Sequence, residues 1–404
     1  MPPPDRDRLL AAVEALQAID RPPASAGERR AAEWIRDALA AEGVAARLEE
    51  EPATGTFPVP VAMLAAIGAA AGLSRRGRLA PGLAGLAAAA GIADDVSGGS
   101  HWFRRAVLPR KATTNVIGEL GDPAAAETVI FVAHHDAANG GLVFHPGPTR
   151  LIADTFPDWY GRQETSPPLM QLVVAGPLLA GAGALLGRPR LRRAGGIAAL
   201  LAALVVGEIA VRRVVPGAND NLAAVAVLLE LARRLRADPV DGVRVILLST
   251  GAEESFMEGM RGFVARHGAA LDPARTRVVV LECVGGPEAI VLEGEGMLRM
   301  RDYTPATRDW LAAAGERAGH PLRRGLRSGF ATDALISLKA GLPTAVLASI
   351  DEYKMASNYH SRRDVAANLD LGTVAACVDV CAEAVRSLSP ARSIPAADDR
   401  SIRA

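Results

Sequence analysis

"TVIFVAHHDAANGG", residues 128–141, joins an apolar run of strand type to two histidines, an aspartate and a glycine pair. Such an ending is either the tidy close of a core strand or the first piece of a metal site. In extended backbone residues i and i+2 point to the same side, so His134 and Asp136 share a face while His135 points away. A carboxylate beside an imidazole fixes its tautomer and raises its basicity, which is the usual support of a metal-bound histidine. Alone, the H-x-D spacing leaves a satisfied strand-end histidine as the simpler reading.

Working outward, further apolar runs predict strands at 44–50, 115–120, 243–249, 277–283, 289–293 and 344–349. Helical periodicity falls at about 5–19, 220–236, 257–267, 304–318, 331–340 and 371–388. In "SAGE" Ser25 as N-cap and Glu28 form a capping box that opens another helix, for which Gly43 offers a stop. Strands alternating with helices predict an α/β sandwich, a sheet covered on both faces. That domain spans 1–388, and the polar tail 389–404 is expected to be disordered.

Two segments break the alternation. Residues 57–93 and 167–211 each consist of two apolar stretches joined by an arginine-rich tip. The second pair comes close to the roughly 20 residues of a membrane helix; the first is shorter and rich in alanine and glycine. Trp102 and Phe103 follow the first hairpin, and Trp159 and Tyr160 precede the second, where an interfacial belt would lie. The α/β domain is split around both insertions, so its pieces share one side of any membrane only if each insertion crosses an even number of times. Each offers two crossings. This predicts a membrane-associated protein, integral through its hairpins; a soluble cap or a dimer interface is the alternative. Arginines mark the tips (Arg75, Arg76, Arg78, Arg188, Arg190, Arg192, Arg193), but Arg104, Arg105, Arg110, Lys111, Arg212 and Arg213 flank the bases, so orientation and oligomeric state stay open.

Composition narrows the partners. Lys plus Arg and Asp plus Glu each total 45 in 404 residues, and no basic stripe stands out, which argues against nucleic acid. Three cysteines (Cys283, Cys377, Cys381) are too few for a disulfide framework, and Cys377 and Cys381 read as core thiols one helical turn apart. The start, "MPPPDRDRLLAAVEAL", has no apolar core and no cleavage site of a secretory signal, so none is expected.

Four more stretches carry chemistry. "PGANDN" sets Asn219, Asp220 and Asn221 before a long helix; capping explains one of the three. "STGAEES" delivers Glu253 and Glu254 at a strand end, a pair in which one carboxylate can bind a metal and the other accept a proton, or which simply opens a helix favoured by its dipole. "VVVLECVGG" ends a strand in Glu282, a carboxylate that burial would penalise unless paired or metal-bound. "NYHSRRD" offers His360 in a polar loop, with Asp364 four residues on. All lie at strand ends or helix starts, where open α/β sheets place their ligands. Imidazoles and carboxylates without thiolate suit hydrolytic zinc, and the carboxylate count suits two ions sharing a ligand.

In this order, "AHHDA", "PGANDN", "GAEE", "LECVG" and "NYHSRRD" resemble the dinuclear zinc aminopeptidases of metallopeptidase family twenty-eight, with the bacterial leucyl aminopeptidases and glutamate carboxypeptidase relatives. The resemblance covers about residues 5–390 outside the hairpins. It implies a three-layer sandwich around a mixed β-sheet, two Zn2+ per chain and a peptide substrate. It also implies roles. His134 and Glu282 hold one zinc, with Asp136 orienting His134. Asp220 bridges, and Glu254 and His360 hold the other. Glu253 is the general base, taking a proton from the metal-bridging water and passing it to the leaving amine.

The chain departs from that pattern in three places. Glu282 stands where the family usually has aspartate, a long insertion separates His134 from Asp220, and the secretory signal of the compact members is missing. The expected activity is a zinc-dependent exopeptidase, foremost an aminopeptidase. Carboxypeptidase, dipeptidase or glutaminyl-cyclase-like acyl transfer are the alternatives within enzymes. A non-catalytic receptor relative is the alternative outside them, against which all five ligands and Glu253 are present.

Overall fold

The computed structural model describes residues 3–75 and 77–389, so Arg76 and all of the expected disordered tail except Ser389 lie outside the described residues. Seven strands form the central sheet: β1 (Ala45–Ala53), β2 (Lys111–Leu120), β3 (Glu127–His134), β4 (Val243–Thr250), β5 (Thr276–Glu282), β6 (Glu288–Val291) and β7 (Thr344–Ile350). Their spatial order is β1-β2-β4-β3-β5-β7-β6. The central pairs β4/β3, β3/β5 and β5/β7 are parallel; the flanking pairs β1/β2, β2/β4 and β7/β6 are antiparallel. The sheet is therefore mixed, as the resemblance implies.

The parallel centre explains the unbroken apolar runs. Side chains alternate across a strand, and here both faces are covered, so both sets must be apolar. Val129, Phe131 and Ala133 of β3 enter one core with Leu9, Leu39, Leu231 and Val378; Ile130 and Val132 enter the opposite core with Met260, Phe263 and Leu335. Burying each such large side chain stabilises the fold by about 1.5–3 kcal/mol.

Two local readings change in the tertiary structure. Ser25 Oγ does cap the Ala26–Ala41 helix, accepting from Glu28 N at 3.1 Å. Glu28, however, does not simply close a capping box. Its carboxylate accepts from Ala24 N (2.7 Å), Thr113 Oγ1 (2.7 Å), Thr114 N (3.2 Å) and Ala252 N (2.9 Å), stapling that helix to β2 and to the loop after β4. The helix expected from residue 220 starts at Ala223, and none of Asn219, Asp220 or Asn221 caps it. Their side chains serve the site instead.

The two apolar insertions form helical hairpins: Pro58–Leu73 with Leu79–Val96, and Leu169–Leu185 with Pro189–Ala210. They pack on each other as one four-helix bundle. A Cβ on Gly72 would lie 2.3 Å from Gly196 Cα, and one on Gly85 would lie 2.7 Å from Gly181 N, so backbones touch where only glycine fits. Arg192, read as a tip arginine, donates to Ala71 O and Gly77 O at 3.0 Å each, tying the two tips together. Leu79–Val96 and Pro189–Ala210 are long and apolar enough to cross a membrane. The base of the bundle is core: Val61, Leu64, Ala88, Ile92, Val206 and Ile209 cover the second face of the sheet.

Arg104, counted above as a basic flank, is fully buried. It pairs with Asp95 through Nε (3.1 Å) and Nη2 (3.1 Å) and donates from Nη1 to Ser255 O at 2.6 Å. It therefore casts no vote on orientation. Beside it His101 is buried with Nε2 3.1 Å from Arg261 Nη2. Burial first, then the Arg104 and Arg261 charges, push its pKa down to about 2. Between pH 2 and 6.5 the unfolded chain therefore binds a proton at His101 that the folded chain refuses. Stability from this group is full above pH 6.5 and is lost as pH falls below it. Thermal melts from pH 7 to pH 5 should fall less steeply for His101→Asn than for the natural chain; equal slopes would show that His101 accepts its proton without cost.

Candidate metal centre

Three adjacent parallel strands end at one place, and each delivers a charged group there. His134 is the last residue of β3 and lies opposite Thr250, the last of β4; Glu282 is the last of β5. The β4 end continues into Glu253 and Glu254. Two loops close the site from outside, the 217–222 turn with Asp220 and the 351–364 loop with His360. All seven residues named from sequence converge.

The distances divide them into two groups that share Asp220. On one side Asp220 Oδ1 lies 3.2 Å from His134 Nε2, which is 3.8 Å from Glu282 Oε1. On the other, Asp220 Oδ2 lies 3.1 Å from His360 Nε2, which is 3.2 Å from Glu254 Oε1. Glu253 Oε2 stands 4.0 Å from His134 Nε2. Asp136 supports the arrangement from below: Oδ1 accepts from Glu253 N (3.1 Å), Oδ2 accepts from Glu254 N (3.0 Å), and Oδ1 lies 3.3 Å from His134 Nδ1. The face-sharing argument holds, because His135 turns away, with Nδ1 2.9 Å from Ser249 Oγ.

The donors suit a divalent metal. Asp220 Oδ2, Glu254 Oε1 and His360 Nε2 are buried and approach within 3.2 Å, yet none makes a hydrogen bond. Buried polar atoms left that way cost about 1–3 kcal/mol each unless something else binds them. Charge points the same way. Asp136, Asp220, Glu253, Glu254, Glu282, Asp333 and Asp364 gather around two imidazoles and Arg21, an excess of carboxylate that burial penalises heavily without further positive charge. His134 and Glu282 would hold one ion, His360 and Glu254 the other, with one Asp220 oxygen for each.

The same crowding shifts the ionisations. Burial lowers His360, but Glu254 and Asp220 outweigh it and push the ring up to about 10. Burial also works against the His134 cation, and Asp136, Asp220 and Glu282 reverse it, raising His134 well above its ordinary value. Burial would raise the Asp220 carboxyl, yet the two imidazoles hold it below the ordinary range. Glu253 goes the other way: burial first, then Glu254 and Glu282, push it well above the usual carboxylate range against the pull of His134.

Sequence reading missed a supporting layer. Asp364 accepts from Asn219 N (2.6 Å) and Asp220 N (3.1 Å), holding the turn that aims Asp220. Asn221 donates to Leu281 O (2.8 Å) and accepts from Cys283 N (3.0 Å), clamping that turn to the end of β5. Arg21 donates to His135 O (2.8 Å) and Gly217 O (2.9 Å); burial lowers its pKa to about 10, which leaves it charged. Asp333 accepts from Thr250 Oγ1. Asp364, four residues after His360, and Asn219 and Asn221, on either side of Asp220, stood out in the sequence; Arg21 and Asp333 did not. The loop itself is held under strain: Ala252, Phe256 and Met257 have positive φ of 50°, 67° and 58°, costing about 1–2 kcal/mol each. Glu258 fixes it by accepting from Ser255 Oγ (2.5 Å), Thr54 N (2.9 Å) and Gly55 N (3.0 Å).

Beside the donors lies a cleft with apolar walls that include Phe57, Phe144, Met170, Phe256 and Phe330. Phe57, at the foot of the first hairpin, stacks on Phe256 at 4.8 Å, and Phe144 meets the His360 ring at 4.3 Å. The insertions thus build part of the cleft.

Known proteins resemble this chain in part of its sequence and in its fold. Residues 205–385 match the model of peptidase family M28. No curated protein matches the chain. Similar solved structures include a Zn-dependent exopeptidase from Parabacteroides distasonis (TM-score 0.56, 14% identity, 95% of this chain and 99% of that one). An aminopeptidase from Aneurinibacillus sp. strain AM-1 has TM-score 0.56 and 15% identity over 95% of this chain and 94% of its own. Glutaminyl cyclase from Tannerella forsythia has TM-score 0.56 and 14% identity over 95% and 99%. At such identities these structures establish the shared fold.

Proposed function

We propose that this chain, whose residues 205–385 match the model of peptidase family M28, is a zinc-dependent exopeptidase, foremost an aminopeptidase, with two Zn2+ held through a shared Asp220. The carrying observation is that one Asp220 oxygen faces His134 and the other faces His360, with the Glu253 carboxylate 4.0 Å from His134 Nε2. When bound, the zinc ions supply polarisation of the scissile carbonyl and acidify the attacking water. Glu253 receives the proton of that water on its carboxylate and returns it to the departing amine. Burial beside Glu254 and Glu282 raises its pKa above the usual carboxylate range, which makes it the stronger base. Asp136 holds Glu253 and Glu254 by their amides and keeps His134 in orientation. No nucleophilic side chain is required.

The aminopeptidase reading draws on the cleft, whose apolar walls suit the side chain of a peptide's terminal residue. A second reading, dipeptidase or carboxypeptidase, has one observation for it: a groove beyond His360 is flanked by Arg212, Arg213 and Arg362, which suit a terminal carboxylate. A library of free, N-blocked and C-amidated peptides separates these. Cleavage of free and C-amidated but not N-blocked peptides is expected, with leucyl or phenylalanyl ends preferred over seryl by about 10–100-fold. Cleavage of N-blocked peptides alone would make it a carboxypeptidase, and ring closure of N-terminal glutaminyl peptides without hydrolysis a cyclase. We further propose that the hairpin bundle inserts in a membrane, a reading supported by its two spanning-length helices and by leucines exposed along its outer surface, among them Leu172, Leu186 and Leu204.

A further inference from the structure

Residues 142–161 form a flap between the metal centre and the foot of the second hairpin. It comprises a turn at Leu142–Phe144 and short helices at Gly147–Thr155 and Pro157–Gly161. Its inner side is firmly held. Phe144 packs on His360 and meets Tyr359 at 5.7 Å, Tyr160 Oη donates to Tyr353 O at 2.6 Å, and Lys354 Nζ donates to Gly161 O at 2.7 Å. Its outer side carries Leu142, Leu151, Ile152, Phe156 and Trp159, with Leu142 and Leu151 nearly 70% exposed (69% and 68%). A run of large apolar side chains fixed outward beside an active cleft calls for a partner.

The position of the flap identifies that partner. The flap joins the foot of the Pro189–Ala210 helix: Gly140 N donates to Arg213 O (3.1 Å), Leu142 N donates to Glu208 Oε2 (3.0 Å), and Ile209 fills the space against Gly141. On the helix that meets the flap Leu204, Val205 and Val211 are exposed, and the exposed Arg212 and Arg213 follow them at the junction. Trp159 and Phe156 stand at this level, where an aromatic side chain sits best between hydrocarbon and water. Within the flap Arg150 stands against Asp154 and Asp158, and Arg162 follows directly after it, so the segment carries no basic cluster that would select anionic lipid.

We propose that the outer face of the 142–161 flap lies on the surface of a lipid bilayer, so that the cleft opens at the membrane interface and takes peptides presented there. This rests on insertion of the hairpin bundle. A second copy of the chain is the competing occupant. It would bury the flap without lipid.

The test uses the full chain in phosphatidylcholine vesicles whose acyl chains are brominated either near the headgroup or near the methyl end. The Trp159 signal is the emission difference between the natural chain and Trp159→Phe. Loss of that signal with shallow bromines and not with deep ones is the expected result, unchanged at high salt. A chain that washes off the vesicles with alkaline carbonate overturns both insertion and the flap. A chain that resists washing but keeps its Trp159 emission with both lipids overturns the flap alone. Disulfide-linked dimers of Trp159→Cys in vesicles at high lipid dilution assign the face to a second copy, which also overturns it. The double variant Leu151→Ser, Phe156→Ser supplies the functional readout. It should cleave a lipid-anchored peptide more slowly while cleaving the soluble peptide unchanged; equal rates on both substrates count against the proposal.

Discussion

Glu253→Gln should leave the protein folded, with its full complement of zinc, and remove nearly all hydrolysis, a loss of about 10²–10⁴-fold. The size follows from chemistry. Glutamine keeps the length and volume of the side chain but cannot take a proton from water, and an amide will not hand one to the leaving amine. Retention of metal follows from geometry. Glu253 lies 4.0 Å from the nearest imidazole nitrogen, outside both groups built on Asp220. Its amide, which Asp136 binds, is untouched by the substitution. Metal content by elemental analysis, measured with turnover on the same preparation, checks both halves. A variant with intact turnover excludes Glu253 as the base. One that loses zinc as well would make it a ligand.

Asp220→Asn should do the opposite, emptying the centre first. Each carboxylate oxygen faces one of the two groups, so a neutral amide weakens both at once. The natural chain should carry up to two zinc ions, the variant fewer than one. A ligand that binds only the folded chain stabilises it by about 4 kcal/mol when present at a thousand times its Kd. Chelation should therefore lower the melting temperature of the natural chain and hardly move that of Asp220→Asn. A natural chain whose melting temperature ignores both chelator and added zinc would sink the assignment of this centre.

Residues that act through backbone alternation or strand ends were legible in the sequence. His134 with Asp136, Glu253 with Glu254, and Glu282 each follow an apolar run, and the period of two already sets His135 aside. What supports them was not legible. Arg21 reaches the centre across more than a hundred residues of chain through carbonyls, which leave no trace in composition. Glu28 looked like the far end of a capping box because its local spacing is that of one, but β2 and the loop after β4 supply its other donors. Asn219 to Asn221 read as cap candidates, and the contacts that employ them come from β5 and the His360 loop. Arg104 was counted among the basic flanks of the first hairpin because its partner, Asp95, stands in an apolar helix where a carboxylate is easily overlooked.

The apolar insertions divide along the same line. Their length, their arginine tips and the pairing of two stretches each are properties of the sequence. That the hairpins join into one bundle through glycine contacts, bury their feet against the sheet and lend Phe57 and Met170 to the cleft depends on the tertiary structure. By itself, then, the sequence determined the alternating α/β order, the strand ends and the donors placed on them, because these follow from periodicity and from what a strand does at its last residue. Only the tertiary structure decided how Asp220 splits its two oxygens, which charges are neutralised by burial partners, and what walls the cleft. Those are contacts between segments far apart in the chain, and no local pattern encodes them.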